Sequence, residues 1–139
     1  MDKPLKYALD DQVGFLLRRV TQRHLTIFNE AIPEVTTTQF AVLAQLSALG
    51  PLSQNHLGRV TAMDAATIKG VVDRLTRQGL VETAPDPEDR RRLTVSLTEA
   101  GAALFAARLE TGLEVSARTL EPLTPAEQAL LLALLARLT

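Results

Sequence analysis

The residues able to do chemistry here are cations at particular places, with no nucleophile or metal-ligand set beside them. Three successive arginines, Arg90, Arg91 and Arg92, follow the polar run Asp86-Pro87-Glu88-Asp89. Adjacent like charges repel and stabilise no core, but beside a duplex one guanidinium can occupy the negative potential of a narrow minor groove. Asp89 is placed to orient a neighbouring guanidinium through a bidentate contact. A second set lies upstream. If Ile68, Val71, Val72 and Leu75 face a core at helical spacing, then Ala65, Ala66, Thr67, Lys69, Gly70, Asp73, Arg74 and Arg77 lie on or beside the open face. Small residues lead that face and cations follow. Such a helix can enter a major groove by its N-terminal part, with Thr67 and Lys69 reaching base edges or phosphates. Each set alone would also serve as an ordinary solvated surface. Together they point to double-stranded DNA.

Other chemistries are poorly supplied. None of the 139 residues is cysteine, which excludes disulfides, thiol catalysis, thiol redox sensing and Cys-containing zinc sites. His24 and His56 are the only imidazoles, so no metal site or other cofactor is expected. No nucleophile elbow, phosphate-binding glycine loop or paired catalytic carboxylate is visible, and the chain does not read as an enzyme. The 15 Lys and Arg against 16 Asp and Glu give a net charge of -1, so the bulk field does not attract a polyanion. The start Met1-Asp2-Lys3-Pro4-Leu5-Lys6 has no apolar signal core, and the leucine-rich end is short and interrupted by Arg137. The expectation is a soluble cytoplasmic protein with no membrane partner.

The elements that must position these residues follow from period and punctuation. Apolar residues at Leu9, Val13, Leu16/Leu17, Val20, Ile27/Phe28 and Ala31 predict a long amphipathic helix ended by Pro33. Thr36 with Gln39 is a capping box for a second helix, stopped by Gly50-Pro51. Ser53 caps a short helix with Leu57 and Val60 inward, Asp64 caps the next, and Gly79 closes it. Residues 80–84 and 93–97 then form a hairpin whose charged tip holds the arginines. Thr98 opens a further long helix, and Thr124-Pro125-Ala126-Glu127 starts the last one. That last helix carries leucine at positions 130, 131, 132, 134, 135 and 138, too many for one buried stripe. A second copy of the chain is the economical cover, and a core position under the first helix is the alternative. The fold class is mainly α with a small β-hairpin wing, a winged helix-turn-helix in one domain. Within it, 36–97 form the DNA-binding lobe, and 1–35 with 98–139 form a helical dimerisation region.

This order, with Thr67-Ile68-Lys69-Gly70-Val71-Val72-Asp73-Arg74-Leu75, Gln78-Gly79-Leu80-Val81, the run from Asp86 to Arg92 and Leu97-Thr98-Glu99-Ala100-Gly101, resembles the MarR (multiple antibiotic resistance regulator) family of winged helix-turn-helix repressors. The resemblance implies a homodimer gripping a pseudo-palindromic operator and releasing it when a small, often aromatic or phenolic, acid binds. By position it implies that Asp89 and Arg91 form the wing's acid and arginine pair, with the arginine in the minor groove. Thr67, Lys69 and Arg74 would face DNA, and Ser53, Gln54 and Asn55 would touch its backbone. Ala65, Ala66 and Gly70 are small, which shifts weight from base readout to shape readout.

The segment from Leu9 to Arg19 with Gln22-Arg23-His24 is similar to a branch regulating aromatic-acid catabolism, including nicotinate degradation. His24, on the apolar stripe between Val20 and Phe28, has two readings. It is a hydrogen-bonded core residue, or it joins one of Arg18, Arg19 and Arg23, with Gln22 nearby, in a carboxylate clamp walled by Phe15, Phe28 or Phe40. A ligand-binding or scaffolding dimer of the same fold, without operator recognition, is the alternative function.

Overall fold

A computed structural model describes residues 2–139 as helices around a three-stranded sheet, with α1 at Val13–Ala31, α2 at Thr37–Leu49, β1 at Leu52–Ser53, α3 at Gln54–Val60, α4 at Ala65–Arg77, β2 at Val81–Pro85, β3 at Leu93–Leu97, α5 at Glu99–Leu120 and α6 at Pro125–Arg137. Side-chain caps start most of the helices. Thr36 and Thr124 make complete capping boxes with Gln39 and Glu127, while Ser53, Asp64 and Thr98 each accept a backbone N–H from the first turn they open. These are the starts expected from the sequence. The first helix is shorter than expected: Leu9–Asp11 form a separate 3-10 turn, and Gln12, extended at φ -89 and ψ 132, divides it from α1. The apolar spacing runs through that break because spacing reports which side chains share a face, not whether the backbone between them is continuous.

The sheet has the order β1-β3-β2, both pairs antiparallel. The hairpin aligns Val81 with Leu97 and Pro85 with Leu93, one residue later at its start than expected. The sequence reading lacked β1, where Leu52 pairs with Val95 and Ser53 with Thr94. Two residues are too few to show a period of two. Their pairing with β3 ties the start of α3 to the base of the wing.

One core joins these parts. Ile32, Val42, Leu43, Leu57, Ile68, Val72, Leu75, Val81 and Val95 are buried together, with Val115 of α5 against the same cluster. At the α3–α4 turn Ala62 has φ 57, a left-handed position that costs a residue with a Cβ of order 1 kcal/mol. Where the chain passes from the wing to α5, Thr98 N donates to Leu80 O at 3.1 Å and Thr98 Oγ1 donates to Gly79 O at 2.6 Å. The α5 backbone comes so close to Leu80 that a Cβ on Gly101 would lie 1.9 Å from the Leu80 carbonyl oxygen. A partly exposed ion pair links α5 to the α1–α2 loop, with Arg108 Nε donating to Glu34 Oε2 at 3.2 Å and Arg108 Nη2 bonding Glu34 Oε1. That guanidinium holds the Glu34 carboxyl below the ordinary glutamate range.

Gly101→Ala is expected to cost about 2–4 kcal/mol, because rigid backbone stands where the methyl would go. Gly70 has open space around it in the middle of α4, and Gly70→Ala should gain about 0.5–1 kcal/mol from helix propensity. Denaturant unfolding of both variants tests the pair; parental stability in Gly101→Ala would refute the close approach.

Candidate functional site

α4 is amphipathic in the way its sequence implies. Ile68, Val71, Val72 and Leu75 are buried, and Ala65, Ala66, Thr67, Lys69, Arg74 and Arg77 are exposed, with Gly70 and Asp73 half-buried. Asp64 Oδ1 accepts from Thr67 N at 2.7 Å and so fixes the start of the exposed face. Lys69 Nζ pairs with Asp73 Oδ2 at 3.0 Å, one turn along. An exposed i,i+4 pair of this kind is weak, so the ammonium can move to a phosphate at little cost.

The wing tip is built by short carboxylate turns. Asp86 Oδ1 accepts from Glu88 N at 2.9 Å, and Asp89 Oδ1 accepts from Arg91 N at 3.1 Å. The same Asp89 oxygen bonds Arg91 Nε at 3.2 Å, and Oδ2 lies 3.7 Å from Arg92 Nε. The expected pairing of Asp89 with an arginine is thus made, and it restrains a guanidinium that is otherwise 91% exposed. Arg90 has no ion pair among the described residues. Through β1, Ser53, Gln54 and Asn55 come against Arg91, Arg92 and Leu93 around a depression of about 120 Å³. Two residue groups far apart in sequence therefore form one cationic, hydrogen-bonding surface.

A second recess opens between α1, α2 and α5. It measures about 220 Å³, and its walls include His24, Phe28, Thr37, Phe40, Val115 and Ser116. Phe40 sits between Phe28 and Phe105, with ring centroids 5.8 and 5.3 Å away. Gly112 lets that ring approach α5: a Cβ there would be 3.0 Å from Phe40 Cε1. Of the ligand residues expected from sequence, His24, Phe28 and Phe40 meet here. Phe15, Arg18, Arg19 and Gln22 are not among its walls. Arg19 instead lies over the Phe15 ring, 5.9 Å from its centroid. Arg23 Nη2 donates to the carbonyl of Arg118 at 2.9 Å and its Nη1 to that of Thr119, so this guanidinium caps the C-terminal end of α5. Helical geometry also turns Arg18, Arg19 and Gln22 away from the His24 side of α1. Sequence reasoning missed Thr37, Ala41, Gly112, Val115 and Ser116; the mid-helix glycine was the one signal of close approach available.

His24 Nδ1 is 2.8 Å from Thr119 Oγ1, a hydrogen bond of the kind expected of a core histidine, but His24 is half-buried and stands on the recess wall rather than in the core. His56, the other imidazole, is exposed on α3 and contacts Arg59. Among the described residues no three His, Cys, Asp or Glu side chains cluster as a metal site would require, and no helix is long and apolar enough to cross a membrane.

A profile of the MarR family matches residues 34–92, from the α1–α2 loop through the wing tip. The HTH-type transcriptional repressor NicR of Pseudomonas putida is 42% identical over 134 residues, covering 95% of this chain and 85% of the relative. Among solved structures, Bordetella bronchiseptica BpsR, whose DNA binding is regulated by 6-hydroxynicotinic acid, has a TM-score of 0.90 at 38% identity and covers 96% of each chain. A mutant Escherichia coli MarR complexed with operator DNA has a TM-score of 0.82 at 30% identity, covering 91% of this chain and 92% of that one.

The Arg91 backbone N–H, then its side chain, hold the Asp89 carboxyl below the ordinary aspartate range. A depressed carboxyl keeps its contacts above that range and loses them only as pH falls through the folded value. A ¹³C carboxyl titration should therefore place Asp89 below about 3.9, with the Arg91 amide losing protection in the same step. A midpoint at or above that value would show that the wing carboxylate is not engaged.

Proposed function

The chain belongs to the MarR family, and from that premise we propose that it is a transcription repressor, a homodimer that leaves a pseudo-palindromic operator when a small aromatic acid binds. The observation that carries this reading is the cationic surface where the N-terminal end of α3 meets the arginine wing, with the exposed, cation-bearing side of α4 following α3 in the chain. α4 presents Ala65, Ala66 and Thr67 at the end that enters a major groove, where small side chains allow close approach. Lys69, Arg74 and Arg77 follow it toward the phosphates. Arg91, held by Asp89, reaches the adjacent minor groove, with Arg90 and Arg92 beside it. Ser53, Gln54 and Asn55 meet the backbone between the two grooves, where contacts set register rather than sequence. Base readout is sparse on such a face, so groove width and deformability contribute much of the discrimination.

Dimerisation is supported by apolar surface that a single chain leaves in water. Val13, Leu16, Leu17 and Val20 of α1, Leu109 and Leu113 of α5, and Leu130, Leu132, Leu134 and Leu138 at the chain's end are all exposed. A monomer of this size rarely leaves so many large side chains uncovered, and a second copy buries them symmetrically. Residues 1–35 and 98–139 are the dimerisation region in this reading, and 36–97 the DNA-binding lobe, acting in the cytoplasm.

The recess between α1, α2 and α5 is the effector site. Its aromatic walls, Phe28 and Phe40, fit a planar ring, and His24, Thr37 and Ser116 supply polar contacts. The regulation of BpsR by 6-hydroxynicotinic acid makes hydroxylated pyridine carboxylates the first class to try. The activity throughout is binding, not catalysis.

Fragments of genomic DNA selected on the protein should yield one palindromic site. On it, Arg91→Ala should weaken binding by about 1–3 kcal/mol and flatten the logarithmic salt dependence by about 1 per wing. Wild-type affinity and salt slope in that variant would remove Arg91 from the interface, and enrichment of no palindrome would favour the scaffolding dimer. Leu113→Glu should shift sedimentation toward monomer at micromolar concentration; an unchanged dimer would place the interface elsewhere. On operator-bound protein, 6-hydroxynicotinate should release DNA in a fluorescence assay, and failure of all hydroxylated pyridine and benzene carboxylates to do so would end the effector reading.

A further inference from the structure

We infer that Thr119 fixes the tautomer of His24, so that the recess presents a hydrogen-bond acceptor and selects aromatic acids bearing a ring hydroxyl or ring N–H over the same acids without one. This rests on the recess being the effector site. A threonine hydroxyl has one proton, and Thr119 Oγ1 donates it to the Val115 carbonyl at 3.0 Å, one turn back in α5. With its hydrogen on the Val115 carbonyl, the oxygen is an acceptor toward His24 Nδ1, 2.8 Å away, and this arrangement places the imidazole hydrogen on Nδ1. In a neutral imidazole with Nδ1–H, Nε2 is a bare lone pair. Among the described residues Nε2 has no protein partner, and His24 is part of the recess wall.

Free imidazole side chains favour hydrogen on Nε2, so the arrangement reverses the ordinary preference. It is also held in place from outside the recess. Arg23, on α1 beside His24, bonds the Arg118 and Thr119 carbonyls and clamps this turn of α5 to α1. Thr119 itself does not wall the recess, which makes it a positioning residue. A ligand hydroxyl or pyridone N–H directed at Nε2 completes the chain ligand to His24 to Thr119 to Val115. A ligand lacking that donor leaves a desolvated acceptor unpaired, and a carboxylate directed there meets lone pair against lone pair. The carboxylate must lie elsewhere; Thr37 and Ser116 are the hydroxyl-bearing walls.

The test uses the full chain, with Thr119→Val to remove the hydroxyl at constant shape and Thr119→Ser to restore it. Two-bond ¹H–¹⁵N spectra of His24 read the tautomer without any ligand, and backbone amide spectra that overlay on wild type away from Thr119 confirm the native fold of each variant. Wild type and Thr119→Ser should show hydrogen on Nδ1 of His24, and Thr119→Val should show it on Nε2. Calorimetry then compares 6-hydroxynicotinate with nicotinate, and 4-hydroxybenzoate with benzoate. The hydroxylated acid should bind wild type at least about tenfold more tightly, and Thr119→Val should reduce that preference to about threefold or less without weakening nicotinate or benzoate. Thr119→Ser should recover it. Hydrogen on Nε2 in wild type, alone or as the doubly protonated ring, overturns the inference, as does an undiminished preference in Thr119→Val. If none of the four acids binds wild type while Nδ1 still carries hydrogen, the effector reading has failed and the selectivity falls with it.

Discussion

The close approach of α5 to the base of the wing is the constraint on which the rest of the molecule depends. Thr98 bonds the Gly79 and Leu80 carbonyls and caps α5 through Gly101 N, and Gly101 supplies the missing Cβ that lets helix and turn share one space. Four residues thus fix the direction in which the chain leaves the sheet. That direction sets where α5 crosses α1 and α2, hence where the exposed leucines face and where the wing stands relative to a second copy. A tolerant junction would leave two arginine tips with no defined separation. A pseudo-palindromic operator, whose half-sites are spaced by helical repeat, needs that separation held to within a fraction of a turn.

Charge is handled with the same economy. The chain is nearly neutral overall, so it gains little from the general attraction of a basic protein for DNA. Its winged segment is balanced as well, since Asp64, Asp73, Asp86 and Asp89 stand among its cations. Three of those carboxylates have local work: Asp64 starts α4, Asp86 and Asp89 shape the wing tip, and Asp89 orients Arg91. Acid at these positions lowers non-specific attraction and fixes the geometry of the cations that remain. On the proposed reading, affinity is thereby moved from the field of the whole molecule to particular guanidinium groups, delivered twice by a dimer.

Much of this was legible in the sequence because it is written locally. A Thr, Ser or Asp before a helix, a glutamine or glutamate three residues on, and a glycine after the last turn each act through neighbours in the chain, and every such start recurs in the structure. The buried and exposed sides of α4 followed from its period for the same reason. What was not legible depends on residues distant in sequence. β1 is a strand only because β3 pairs with it. Arg23 looked like a ligand arginine until the end of α5, 95 residues away, offered it carbonyls. Thr119 carried no signal at all: its role exists only where α5 comes back across α1. The walls of the recess were read in part, from aromatic residues on α1 and α2, while those on α5 stayed hidden for want of any rule bringing that helix alongside.

The crossing of α5 over α1 and α2 also determines what an occupant of the recess can do. Gly101, Arg108, Gly112 and Thr119 all lie on this one helix, and at about 1.5 Å per residue the wing junction and the His24 contact are roughly 27 Å apart. Between them Arg108 holds Glu34 in the loop that leads into α2. On the proposed effector reading, a ring held by Phe28 and Phe40 bears on α5 and on α2, and α2 packs against α3 and α4. The wing end of α5 cannot yield in the same way, because backbone meets backbone at Gly101 with no side chain to rearrange. On that reading an occupant of the recess acts against a fixed point at the wing junction. If both wings sit in grooves at a set spacing, as proposed, any shift of α2 with α3 and α4 about that junction takes at least one wing out of register.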